Sequence, residues 1–314
     1  MTALLLGALG LTLSLLVPPR LSRARWPARV PGAAVVLWQS LTLTAVLSAV
    51  GVVLAAPEEL VRAEGSGATV AVAALLGALT VAALIVLRLL ACLIGVSRRS
   101  RARRARHRML VDLLDRAEQH GEFDAVVPGA LRVLDGPLPF AYCLPGRSPR
   151  VVLSGGALQA LESTQVAAVL VHEQAHLRHR HDLVTESFTA FYRAVPGPLR
   201  SRAPLDAVHL LLEMLADDAA RRRYGAEPLR AALTTMGGAA DAMAPGRAEA
   251  ADRGAGRDAD GEVRRRVERL RPGAPGPTLP LRLAVSAAAV AVPVLPTVLL
   301  VVPWLDRALS AWPL

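Results

Sequence analysis

The residues best placed to do chemistry lie in one short stretch, where His172, Glu173 and His176 stand in the pattern HExxH. On an α-helix a spacing of four puts both imidazoles on one face, one turn apart, so their ring nitrogens can meet on a single ion. Glu173 is rotated off that line. There a carboxylate can take a proton from a metal-bound water rather than coordinate the metal itself. The preceding ESTQVAAVLV leads from polar residues into an apolar turn, as a core helix presenting ligands should begin. A catalytic zinc has three protein ligands and one open position. Beyond His176, in a second helical region at 205–224, comes Glu213-Met214-Leu215-Ala216-Asp217. Glu213 can supply the third ligand from a packed neighbouring helix. Asp217, one turn later on the same face, can accept the free N–H of a ligating histidine and fix its tautomer. An oxyanion donor is also needed. His209, one turn before Glu213, is the first candidate, followed by Tyr224 and the arginines of RRRVERL. His179 and His181 read as surface or supporting residues, because Glu213 already completes a ligand set of one zinc per chain.

These residues sit in a chain that is 53% hydrophobic, and all 36 of its basic residues are arginine. A composition this apolar points first to membrane spans, each of about 20 apolar residues. Four segments qualify, at about 2–17, 33–56, 68–96 and 283–302. The loop after the first carries Arg20, Arg23, Arg25 and Arg29 and no acid, while the next carries Glu58, Glu59 and Glu64 against Arg62. Seven arginines follow the third span between Arg98 and Arg108. By the positive-inside rule the arginine-rich loops face the cytoplasm and the acidic loop faces out. Both termini are then outside and the stretch between the third and fourth spans is cytoplasmic. Arg88, near the cytoplasmic end of the third span, reads as a snorkelling side chain. The arginine run beside that span reads as a topology anchor touching anionic lipid, with no direct nucleic-acid partner. Cys92 and Cys143 have neither metal-ligand spacing nor matching contexts for a disulfide.

The expected organisation is residues 1–97 as three spans, 98–281 as a cytoplasmic domain, and 282–314 as a fourth span with a short external tail. Within the domain, a helix at 109–122 precedes β-prone pieces at 131–134, 140–144 and 150–154, divided by Gly/Pro turns. Helix resumes from 157 to about 181. The last of the β pieces could offer an edge to an extended substrate. Residues 237–262, rich in Gly, Ala and Asp, read as a mobile loop that is also a candidate for self-cleavage.

HExxH followed by ExxAD resembles the glutamate-zincin membrane peptidases. The nearest likeness is to the β-lactam sensor-transducer peptidases, carried by HEQAHLRHRHDLV, by PRVVLSGGAL before it and by RRVERL after the loop. A weaker likeness is to the CAAX prenyl protease and heat-shock membrane protease family. The resemblance covers about 140–271 and the arrangement of spans. It implies His172, His176 and Glu213 as zinc ligands, Glu173 as general base, and a cytoplasmic transcriptional repressor as the substrate class. Only a short tail follows the last span, so a penicillin-binding sensor is not expected. The fold class expected is a mainly α membrane protein, four transmembrane helices bearing a cytoplasmic α+β glutamate-zincin domain. Two rival readings are a quality-control protease of membrane proteins and a non-catalytic regulator using the domain as a binding platform. A channel or transporter fits poorly, because the spans hold few polar groups. Composition and motifs do not address the oligomeric state.

Overall fold

The structure is a computed structural model that describes residues 2–64, 68–116, 121–197, 200–242 and 255–311. The chain forms two compact units, one of 1–95, 187–208 and 277–314, the other of 96–186 and 209–276. It is a mainly α membrane protein with one small mixed sheet.

In the first unit lie α1 (Thr2–Leu11), α2 (Val17–Arg23), α3 (Pro31–Glu64), the start of α4 (Ala68–Leu113), and α11 (Leu279–Pro296) with α12 (Val302–Ala311) after it. Four candidate spans follow from length and apolarity: Thr2–Arg23, Pro31–Ala55, Val72–Leu113 and Leu279–Asp306. Both α1 and α11 pack on α3. Small residues allow the α1–α3 approach: a Cβ on Gly51 would come within 2.8 Å of Leu6, and one on Gly10 within 3.2 Å of Ser48. Trp38 is buried in this seam, whereas most other large apolar side chains of the spans face outward, as lipid-facing helices require. Pro293 and Pro296 interrupt the ladder of α11, and Thr297 Oγ1 donates to the Pro293 carbonyl at 2.7 Å. That carbonyl also accepts from the Thr297 N–H, so the hydroxyl adds a second bond within the helix rather than replacing a lost one.

The second unit is built on β1 (Leu131–Leu134), β2 (Ala141–Leu144) and β3 (Arg150–Ser154), in the order β1-β3-β2. β1 pairs parallel to β3 and β2 antiparallel to it. Leu131, Val133, Val151 and Leu153 are fully buried against Val166, Ala168, Val169 and Leu170 of α6 (Ser163–Arg178). The strands lie where the β-prone pieces between Gly/Pro turns were expected. Their order corrects one expectation: β3 is central and paired on both sides, and the edge strands among the described residues are β1 and β2.

The helices bring further corrections. The stretch expected to be one helix from 157 to 181 is α5 (Gly155–Ala160), α6, and then α7 (His181–Ala194). Ser154 caps α5 by accepting from Ala157 N at 3.0 Å, and Glu162 with Gln165 closes a capping box on α6. Arg180, at φ 50, turns the chain into α7. The arginines of 98–108 continue α4 instead of forming a loop. The helix expected over 109–122 ends at Leu113, because Asp112 and Asp115 turn to the sheet. Asp112 bonds Arg132 and Arg150 at 2.9 Å each, and Asp115 accepts from Val133 N at 2.9 Å. The acidic loop after the second span is likewise helical as far as Glu64.

The loop expected at 237–262 is also largely helical in its described parts. α9 (Ala226–Ala242) runs into it, α10 (Ala255–Arg269) emerges from it, and 243–254 lie outside the described residues. Gly237 of α9 faces Val263 of α10, where an added Cβ would make an ordinary 3.5 Å contact. α8 (Ala203–Tyr224) ends at Gly225, whose φ of +82° makes it the expected C-cap.

Candidate metal centre

α6 carries His172 and His176 one turn apart, and α8 brings Glu213 to face them. The His172 and His176 Nε2 atoms lie 3.2 Å apart. Glu213 reaches both, with Oε2 at 3.4 Å from His172 Nε2 and Oε1 at 3.3 Å from His176 Nε2. Three donors in tetrahedral array at zinc distances stand about 3.3–3.4 Å from one another, given bonds of about 2.0–2.1 Å. The observed triangle has that size. These are the ligands expected from the sequence, and their atoms form a group able to hold a metal ion.

The surrounding contacts aim lone pairs into the triangle. Asp217 is fully buried, and its Oδ1 lies 3.0 Å from His172 Nδ1. Holding the proton on Nδ1 leaves Nε2 bare toward the metal position. His181, which is buried, sets its Nδ1 2.9 Å from His176 Nδ1 and does the same for the second imidazole. Arg266 of α10 bonds both oxygens of Asp217, at 2.7 and 3.0 Å, and its Nη1 lies 2.9 Å from Glu213 Oε2. Sequence reasoning counted Arg266 only within a run of arginines. Burial singles it out, because a buried guanidinium requires carboxylates around it.

The electrostatics fit a cation. Burial favours neutral His172, but hydrogen bonds to Asp217 and Glu213 overcome it and raise its pKa to about 9. Burial holds His176 neutral, down to about 3. Burial also pushes the Glu213 carboxyl up, yet His172 and Arg266 outweigh it and keep it ionised well below the usual carboxylate range. The metal-free pocket therefore holds a proton among groups that a dication would neutralise equally well.

Glu173 stands beside this group and lines the same cavity of about 410 Å³. Burial raises its pKa, with the Glu213 charge adding to the rise and the His172 charge opposing it. A carboxyl poised above its usual range suits a group that must take and return a proton near neutrality. Cys143 of β2 lines the same cavity, and burial followed by the Glu173 charge holds its thiol protonated. β2 itself forms one wall of the cavity, with Leu229, Leu233 and Met236 of α9 on another. Among the oxyanion candidates, Arg266 lines this cavity and His209 does not. The His209 imidazole is half exposed and pairs with Glu262 at 3.5 Å. His179 stacks on His181 with 6.0 Å between centroids, outside the ligand triangle.

The comparison with known proteins agrees with this geometry. No solved structure matches the chain. Residues 100–216 match peptidase family M48, a stretch that contains His172, Glu173, His176 and Glu213 and stops one residue short of Asp217. The chain thus joins helices long and apolar enough to cross a membrane to a stretch that matches the metallopeptidase family M48 and a His/His/Glu group able to hold a metal ion.

Proposed function

We propose that this chain is an integral-membrane zinc endopeptidase acting at the cytoplasmic face on a cytoplasmic regulatory protein of the repressor type. The observation that carries the reading is the donor triangle of 3.2, 3.3 and 3.4 Å with the Glu173 carboxyl beside it. His172, His176 and Glu213 would hold a zinc ion, which when bound would polarise the scissile carbonyl and acidify a water. Glu173 would take a proton from the attacking water and return it to the departing amine. The substrate backbone lies extended along β2, the edge strand that walls the cavity, in the strand-addition mode. Arg266 keeps Glu213 and Asp217 ionised and oriented. It is also the cation nearest a developing oxyanion. The arginines of 98–108 face the cytoplasm, which puts the domain on that side.

The test is zinc content and cleavage of an unfolded protein substrate by the full chain in detergent or nanodiscs. Wild type should bind one zinc, and Glu213→Ala should lose it. Glu173→Gln should keep the metal while turnover falls by about 10²–10⁴-fold. A folded wild type without metal would sink the enzymatic reading and leave a binding platform. Cleavage at many unrelated sites would replace the regulatory substrate with a quality-control role.

A further inference from the structure

Apart from the metal centre, the largest unexplained feature lies wholly in the first unit. It is an apolar cavity of about 520 Å³ between α1, α3 and α4, within the range of small-molecule sites. We propose that it binds one anionic phospholipid, with an acyl chain along α1 and α3 and the phosphate at Arg88.

Its walls are polarised from end to end. At one end stand Pro18, Trp38, Arg88, Tyr192 and Ser201, and at the other Leu6, Gly7, Val52 and Val53. From Leu6 to Pro18 a helix rises about 18 Å. That length takes the acyl chain of one leaflet, about half of a ~30 Å hydrocarbon core, and leaves room for its head-group linkage. The wall is made to be open. Thr12–Leu16, whose Leu13, Ser14 and Leu15 line the space, is a π-helical turn, a widening often found at functional sites.

Charge selects the occupant. No carboxylate lines the cavity among the described residues, whereas the guanidinium of Arg88 lines its polar end. Arg88 is anchored there by a 2.7 Å hydrogen bond from Nε to the Ala194 carbonyl. Arg200 and Arg202 lie over the Tyr192 ring, at 5.1 and 5.9 Å from its centroid. Within a bilayer, the ligand joining a long apolar chain to a negative head is an anionic lipid. A guanidinium matches its phosphate by bidentate hydrogen bonding.

The experiment places the full chain in nanodiscs of phosphatidylcholine mixed with phosphatidylglycerol that carries a photoreactive group at its chain end. Bound lipid is also counted by native mass spectrometry. The expected result is one retained phosphatidylglycerol per chain, with crosslinks concentrated in Thr2–Leu11 and Pro31–Ala55. Ala49→Trp, which fills the cavity, should abolish both signals. Arg88→Gln should weaken retention roughly fivefold, the worth of one interfacial charge, and Arg88→Lys should largely restore it. Folding of each variant is checked by its zinc content, which this site should leave unchanged. Crosslinks spread evenly over α11 as well would mean annular lipid only and overturn the proposal. So would equal retention of phosphatidylcholine, or a co-purifying protein helix in the cavity.

Discussion

Replacing Asp217 with asparagine separates two roles that the geometry gives to one carboxylate. Asp217 is fully buried and receives three hydrogen bonds or close approaches from donors, His172 Nδ1 at 3.0 Å and Arg266 at 2.7 and 3.0 Å. An asparagine of the same shape keeps one acceptor oxygen, but its amide must face either the imidazole N–H or the guanidinium. Donor then meets donor, and no water is there to relieve it. If the amide faces His172, the imidazole loses the partner that fixes its tautomer, which costs about 10- to 100-fold in metal affinity, or about 1.4–2.7 kcal/mol. Arg266 also loses one of two buried counter-ions while keeping Glu213. The fold should therefore lose about 3 kcal/mol, the lower end for breaking a buried pair. Zinc affinity by chelator competition and thermal unfolding of metal-free protein read the two effects separately. Glu227→Gln, on an exposed pair with Arg230, should change neither. A variant that is destabilised yet binds zinc within about twofold of wild type would refute the tautomer role and leave Asp217 as only the partner of Arg266.

Three further outcomes follow from the same contacts. His172, raised to about 9, is protonated without metal at neutral pH, and ligation removes that proton. Zinc affinity should therefore climb about tenfold per pH unit from neutrality and level off above pH 9, with one proton released per zinc from this site. Calorimetry in buffers of different ionisation enthalpy checks it, and a flat profile would contradict it. Gly156→Ala drives a Cβ into the backbone of Pro137 and to 2.9 Å from Gly136 O at the start of α5, so it should cost about 1–3 kcal/mol. An unchanged melting temperature would exclude that clash. Cys143, kept protonated by burial and Glu173, should react with iodoacetamide more than roughly tenfold slower than a free thiol at neutral pH. Rapid labelling would show that the thiol does not face Glu173.

How much of this was legible beforehand depended on whether the cause was local. The HExxH spacing fixes two ligands through helical periodicity alone, and ExxAD places Glu213 and Asp217 on one face of α8 in the same way. The three strands were readable because short β-prone pieces between glycine and proline have few alternatives. Arg266 was legible only as one of several arginine candidates in RRRVERL, because its partners Asp217 and Glu213 are contributed by a different helix. Nor was the order of the strands, which comes from β1 pairing with β3 across an intervening hairpin arm. The helices at both ends of 237–262 were missed for a related reason. Alanine and glycine there look like loop composition, and the contact of α9 with α10 that accompanies the helices is not written in either segment alone.

That displacement of the free edge from β3 to β2 changes how the site works. β3 is hydrogen-bonded on both sides, and its residues Val151, Val152 and Leu153 are all fully buried, so its part is to be core. β2 has one partner only, and it brings Ala141, Tyr142 and Cys143 to the cavity that holds Glu173 and the ligand triangle. A peptide added to β2 runs past Glu173 with its backbone already ordered. The entropy of orienting the scissile bond is then met by main-chain hydrogen bonds that any sequence can make. Selectivity must come from elsewhere. Leu229, Leu233 and Met236 of α9 form an apolar wall of this cavity, so under the proposed peptidase reading substitutions there should shift which peptides are cleaved before they shift how fast.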